Sequence, residues 1–373
     1  MRSVGWLIIW KRVSEMYPPS HQSLLVSMLQ RAADSTLADI GEKALLADFL
    51  LPMCRTICGD RGLGDDVGIL SVPAGNAVAV TTDRIPSDLL ARQLGLMTPA
   101  DIGGYLVRVN VSDLAAAGAD PLAMVVTAAF RPAEKTAYVV EVMWGAYVES
   151  ARLGCPVVGG DTKAAAEESL SATALGSGPS GKAVRRGPVR PGMRVYLSGP
   201  VGHAGVALRW FMGKRAYGKD VGQPFETSLV DTEMREYLVR PVPRIDLVKA
   251  LRESECPCAM DITDGLGQSL LEIARPHSVD IELNFDKLRV NPTISMVMET
   301  LGLDLHEVLG GIGLDLELIA IGDQCHMPQG FYEVGRLISG NGNISFADGR
   351  KMVIRGYEHF SRTPKEFLEQ APG

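Results

Sequence analysis

Five aspartate motifs lie at the ends of apolar segments, each beside Gly, Thr or Ser: Gly64-Asp65-Asp66, Thr81-Thr82-Asp83, Asn110-Val111-Ser112-Asp113, Gly159-Gly160-Asp161-Thr162 and Asp261-Ile262-Thr263-Asp264-Gly265. A single Asp in such a place commonly caps a helix or opens a turn. Asp113 does not fit that role: it falls inside a helix-like segment and forms an i, i+3 polar pair with Asn110 on an otherwise apolar stretch. Lys and Arg are scarce beside the motifs, Arg84 and Lys163 excepted, so converging carboxylates would repel one another unless cations compensate. Hard divalent ions with oxygen ligands do this. Magnesium keeps several waters and completes its shell with phosphate oxygens, so aspartates beside glycine-rich turns point to a metal-dependent, nucleotide-using enzyme.

The usual phosphate loops are missing. No GxxxxGK[ST] occurs, and Gly199-Pro-Val-Gly202-His-Ala-Gly205 lacks the GxGxxG spacing and reads as a tight strand-to-helix turn. A protein-kinase signature is also lacking, and His203, His277 and His326 belong to no catalytic motif. With 37 Lys plus Arg against 44 Asp plus Glu, the formal charge of -7 disfavours nucleic acid as a partner. The apolar run Trp6–Trp10 is followed at once by Lys11 and Arg12, far short of the roughly 20 residues that span a bilayer. No membrane role and a cytoplasmic location are expected. The six cysteines read as reduced, buried thiols, since neither Cys54/Cys58 nor Cys256/Cys258 repeats as a zinc site would.

The elements that must position the aspartates follow from local patterns. A length of 373 residues with 46% hydrophobic content argues for two globular domains. Helical spacing over 41–53 gives way to a glycine-rich turn at 59–64, and two short β-branched runs, 67–72 and 76–82, suggest a hairpin across Pro73–Gly75. Thr98, Pro99 and Asp101 form a capping box that opens a helix running to about Ala117, with Gly118 as its stop. A helix is expected over 134–153 and strands over 155–159 and 170–175. After the Pro/Gly/Arg connector 185–192, where the domain boundary near 190 is placed, strands are expected at 194–198, 258–262 and 280–285, with a helix at 266–274. This mixture predicts an α/β or α+β fold.

At these residues the chain resembles the thiamine-monophosphate kinase family, within the superfamily that also holds aminoimidazole ribonucleotide synthetase, selenophosphate synthetase and a hydrogenase-maturation dehydratase. The resemblance covers about residues 40–360. It is carried, in the family's order, by Gly41-Glu42, GLGDD at 62–66, TTD at 81–83, NVSDLAAAGADP at 110–121, VVGGDT at 157–162 and DITDGL at 261–266, with Gly356-Tyr-Glu-His-Phe360 as the kinase-type terminus. The resemblance implies a two-domain aminoimidazole ribonucleotide synthetase-like fold. An N-terminal extension (1–39) would precede a metal- and ATP-binding domain (40–190) whose sheet pairs with that of a second subunit. A C-terminal α/β domain (191–360) and a tail (361–373) would follow. A homodimer follows by analogy. The magnesium ligands would be Asp66, Thr81, Thr82, Asp83, Asp113, Asp161, Asp261 and Asp264, and Gly160, Asp161, Arg186 and Thr263 would face ATP.

The acceptor half of the family's site is altered. Leu90 falls where a substrate-contacting histidine usually stands, and Leu314 where an acidic substrate contact stands, while Tyr357 keeps an aromatic near the terminus that can stack on a flat ring. The expected activity is phosphoryl transfer from ATP to a phosphate monoester, thiamine monophosphate or a related small-molecule acceptor. Two alternatives remain at this point: activation of a carboxamide or carbonyl oxygen for ring closure or dehydration, as in the superfamily cousins, and a nucleotide-binding protein without turnover.

Overall fold

The computed structural model describes residues 18–59, 70–86, 89–216 and 229–355. Helix α1, Pro19–Ala32, leads to α2, Leu37–Leu45, which a capping box between Thr36 and Asp39 opens. The helical pattern expected over 41–53 starts earlier and is broken. Gly41 takes a φ of 74° inside α2, a π-helical turn follows at Leu46–Leu50, and α3, Leu51–Cys58, completes the segment.

Strand β1, Asn76–Ile85, is the second strand of the expected hairpin. Residues 70–72 carry no strand, 67–69 lie outside the described residues, and β1 pairs antiparallel with β4, Ser169–Pro179, from Asn76 opposite Pro179 to Ile85 opposite Leu170. The alternate face of β1 packs on a buried helix.

The short α4, Leu90–Gln93, leads to that helix, α5, Pro99–Ala116. Its start is the capping box read from sequence: Thr98 Oγ1 accepts from Asp101 N at 3.1 Å, and Asp101 Oδ2 accepts from Thr98 N at 2.9 Å. Strand β2, Asp120–Phe130, helix α6, Thr136–Arg152, and strand β3, Val157–Ala164, follow. Helices α5 and α6 cross with almost no space between backbones, since a Cβ added at Gly103 would sit 1.9 Å from Val142 O. The sheet order is β1-β4-β2-β3, so β1 and β3 are its two edges.

The second half holds β5 (Arg194–Leu197), α7 (His203–Ala216), α8 (Leu229–Val239), α9 (Val248–Glu253), β6 (Cys258–Asp261) and α10 (Leu266–Ala274). It continues with β7 (Val279–Leu283), α11 (Pro292–Leu301), α12 (Leu305–Gly310), β8 (Leu318–Gly322), β9 (Tyr332–Ser339) and β10 (Ile344–Phe346). Its six strands run in the order β10-β7-β9-β5-β8-β6. The fold is thus mixed α/β with two sheets. The halves interlock through packing: Ala115 and Ala116 at the end of α5 bury against Tyr196, Leu251 and Leu318, while Ala91 of α4 packs among Leu208, Phe211 and Met234. No helix of the described residues is long and apolar enough to cross a membrane.

Candidate active site between the two halves

Four of the motif aspartates meet across the junction of the halves. Asp83 comes from β1, Asp113 from α5, Asp261 from the end of β6 and Asp264 from the turn that follows, and all four line one cavity of about 400 Å3. Arg84, Arg186 and Thr263 are also among its lining residues. The lining also holds apolar side chains: Leu89 and Leu90 at α4, Leu208 from α7, Leu238 from α8, and Leu314.

Local chemistry explains how these side chains are held. Residues 105, 109 and 113 are spaced at i, i+4, i+8, so α5 presents Tyr105, Val109 and Asp113 on one face. Asp113 accepts a hydrogen bond from Thr81 Oγ1 at 2.5 Å. Asn110 is structural: its Oδ1 accepts from Asp83 N at 3.0 Å, and its Nδ2 donates to Leu106 O at 2.9 Å. Gly265, at φ 98°, is required for the second turn, because a Cβ there would lie 2.1 Å from Gly311 O.

The electrostatics fit a site built for cations. Burial, reinforced by the charge of Asp113, pushes Asp261 up to about 7. Burial, then the charge and hydrogen bond of Asp113, push Asp83 up to about 6. Asp261 Oδ2 is buried without a hydrogen-bond partner, an arrangement that costs free energy unless something else satisfies the oxygen. Among the described residues, no three His, Cys, Asp or Glu side chains form a ready metal cage.

The other expected site residues divide between the cavity and the open face of the first sheet, with two outside the described residues. Asp66 and Tyr357 fall outside the described residues. Thr82 is on the opposite face of β1 from Thr81 and Asp83, where its hydroxyl donates to Ala172 O at 2.9 Å. Gly160 and Asp161 lie on β3, the far edge of the sheet, about 14 Å from β1 at three strand spacings. The register places Asp161 beside Thr127, in line with Ser171 and Arg84, so it shares the open face with Thr82. Its carboxylate is exposed and pairs with Lys163 at 3.2 Å, which also reaches Glu42 at 3.4 Å. Arg186 lines the cavity and pairs with Glu272 at 3.1 Å. The seven expected metal ligands among the described residues therefore do not form one cluster within a single chain.

Two acidic residues beside Leu314 serve the fold. Asp315 accepts from Gly202 N at 2.7 Å and Ala204 N at 3.0 Å, capping α7 with its own carboxylate, while burial pushes it up to about 6 against those bonds. The glycine set 199–205 is accordingly a strand-to-helix turn whose anion site is already filled. Glu317 accepts from Ser198 Oγ and from Arg244 Nη1, the latter at 2.8 Å. Sequence reading missed Tyr105, although the helical spacing to Asp113 signals it, and missed Leu208 and Leu238, which no motif marks.

Residues 64–177 match the family model described as AIR synthase related protein, N-terminal domain. A thiamine-monophosphate kinase of Methanospirillum hungatei JF-1 is 30% identical over 315 residues, covering 83% of this chain and 98% of that protein. The chain belongs to the thiamine-monophosphate kinase family. The Escherichia coli K12 thiamine-monophosphate kinase is 26% identical over 322 residues, 81% of this chain and 92% of its own. The crystal structure of thiamine-monophosphate kinase from Stenotrophomonas maltophilia K279a superposes with a TM-score of 0.68 at 28% identity, over 82% of this chain and 98% of that one. AaThiL complexed with AMPPCP and TMP shares the fold at 23% identity, with a TM-score of 0.67 over 86% of this chain and 99% of its own.

Proposed function

We propose that this member of the thiamine-monophosphate kinase family is a cytoplasmic, magnesium-dependent enzyme that transfers the γ-phosphoryl group of ATP to thiamine monophosphate, giving ADP and thiamine diphosphate. The observation that carries this reading is the lining of one cavity: Asp83, Asp113, Asp261 and Asp264 with Arg84 and Arg186, together with Leu89, Leu90, Leu208, Leu238 and Leu314. A phosphate monoester with a flat organic body matches both the charged and the apolar part of that lining.

Asp83, Asp113, Asp261 and Asp264 would hold magnesium, and the unpartnered Oδ2 of Asp261 supports that assignment. Bound there, magnesium would neutralise charge on the phosphate oxygens. Arg186 and Thr263 would contact ATP from the lining of the same cavity. The attacking group is a phosphate oxygen of the acceptor, already anionic at neutral pH, so the chain need supply no general base. Catalysis then rests on alignment and charge stabilisation.

A homodimer is part of the same reading. The open face of β1 exposes Val78 and Val80, at 47% and 63%, beside Thr82 and on the side of the sheet that carries Asp161. A second copy covering that face would bury apolar surface and give these outlying residues a partner.

Product analysis tests the proposal. Incubation with ATP and thiamine monophosphate should give ADP and thiamine diphosphate in equal amounts. Stoichiometric inorganic phosphate without the diphosphate would favour the ring-closure or dehydration chemistry of the superfamily cousins instead.

A further inference from the structure

Leu90 reaches the cavity from α4, a single helical turn that could not hold its own shape in water. Its position is set by what it is tied to. Ala91, Leu94 and Leu96 pack with Leu208 and Phe211 of the second half, and just beyond the turn Arg235 Nε donates to Leu96 O at 2.8 Å. The opposite tether is Arg92. Its Nη1 donates to Glu168 Oε1 at 2.5 Å, and its Nη2 donates to Tyr138 OH at 2.9 Å and to Glu168 Oε2 at 3.3 Å. Tyr138 OH closes the ring by donating to Glu168 Oε2 at 2.6 Å. Tyr138 belongs to α6 and Glu168 immediately precedes β4, so this network fastens the α4 turn to the first half of the chain.

The network is more than a surface ion pair. The side chains of Arg92 and Glu168 are 29% and 11% exposed, and a planar guanidinium held by both carboxylate oxygens and a phenol fixes direction as well as distance. None of the three residues lines the cavity, whereas Leu89, Leu90 and Ala91, on the same turn as Arg92, all do.

We propose that Arg92, Glu168 and Tyr138 are positioning residues for the acceptor: they set the α4 turn so that Leu89, Leu90 and Ala91 form the wall on which the organic part of the acceptor packs. The inference rests on reading the cavity as the phosphoryl-transfer site. The carboxylates reach the cavity from β1, α5, β6 and the turn after β6, so loosening α4 shifts the acceptor and leaves the metal and ATP ligands in place. The network is thus a specificity device that acts through packing.

Steady-state kinetics of the full chain, with ATP and thiamine monophosphate varied in turn, tests this, together with melting curves. Arg92→Ala and Glu168→Gln should each raise the KM for thiamine monophosphate about tenfold, with the KM for ATP changed by less than about twofold. Arg92→Lys, which keeps the charge but not the fork, should recover part of the loss. Should Arg92→Ala fail to fold, Glu168→Gln carries the test, because it keeps the shape of the side chain. An unchanged KM for the acceptor in Glu168→Gln, or equal rises for both substrates, would overturn the inference and leave the kinase reading intact. Absence of any thiamine diphosphate from the wild-type chain would overturn both.

Discussion

Thr81 on β1 donates its hydroxyl to Asp113 on α5 at 2.5 Å, across 32 residues of sequence. The contact joins the second motif to the third and fixes the Asp113 carboxylate beside Asp83. It also leaves the cavity with paired like charges, which sets up most of what can be tested.

Asp83→Asn and Asp113→Asn each remove a negative charge while keeping a side chain of the same size. Magnesium-dependent ATP affinity, followed by calorimetry, should fall at least about tenfold in either variant. Melting temperature in metal-free buffer should hold or rise, because the repulsion between the two acids is relieved. Wild-type ATP affinity in both variants would remove these residues from the metal site.

Stability of the metal-free chain should depend on pH in a defined direction. Asp261 and Asp83 are pushed up to about 7 and about 6, above the ordinary aspartate value of about 3.9. The folded chain thus keeps protons that the unfolded chain has released, so their contribution is complete below pH about 4 and is lost as the pH climbs through 6 and 7. Melting temperature should drop by about 3–6 °C between pH 5 and 8. Asp261→Asn should flatten most of that slope, and a wild-type curve that rises across the same window would refute the argument.

Gly265 has neither the space nor the backbone conformation for a side chain. Gly265→Ala should cost about 2 kcal/mol or more in denaturant unfolding, because a Cβ must displace the Gly311 carbonyl. Wild-type stability in this variant would mean that the turn carrying Asp264 is not packed on 311–313.

The exposed valines of β1 make the dimer testable. Light scattering at micromolar concentration should give twice the chain mass, and Val80→Lys should lower it toward the monomer by placing a charge in the apolar face. A wild-type monomer would contradict the dimer proposal.

The sequence resemblance puts Leu90 and Leu314 where polar contacts to the acceptor are expected. The double variant Leu90→His with Leu314→Glu should lower the KM for thiamine monophosphate by about tenfold if the wild-type pocket grips the ring by packing alone. No gain would show that other residues already supply those contacts. Asp315 is not one of them, since two backbone N–H groups at the start of α7 hold its carboxylate.

Local rules made much of this site legible. The capping box of Thr98 and Asp101 located α5, and the helical spacing placed Asp113 on a buried face, so the oddity of an acid there could be read before any coordinates. The strand end that carries Asp83 followed from a short β-branched run, and a strand was also expected over 258–262, which carries Asp261. Strand order did not follow. Nothing near Asp161 says that β3 lies at the far edge from β1, because β4 inserts between β1 and β2 through contacts about a hundred residues apart in sequence. Leu208 and Leu238 were invisible for a related reason, since a leucine on a helix reads as core until a second half is seen to face it.

The most direct test of the account is the rate of thiamine diphosphate formation at saturating ATP, magnesium and thiamine monophosphate, compared between the wild-type chain and Asp261→Asn. The wild type should form the diphosphate, and the variant should lose at least about a hundredfold in rate while keeping a cooperative melting transition. A variant that works at the wild-type rate would mean that the cavity between β1, α5 and β6 is not where the phosphoryl group is transferred.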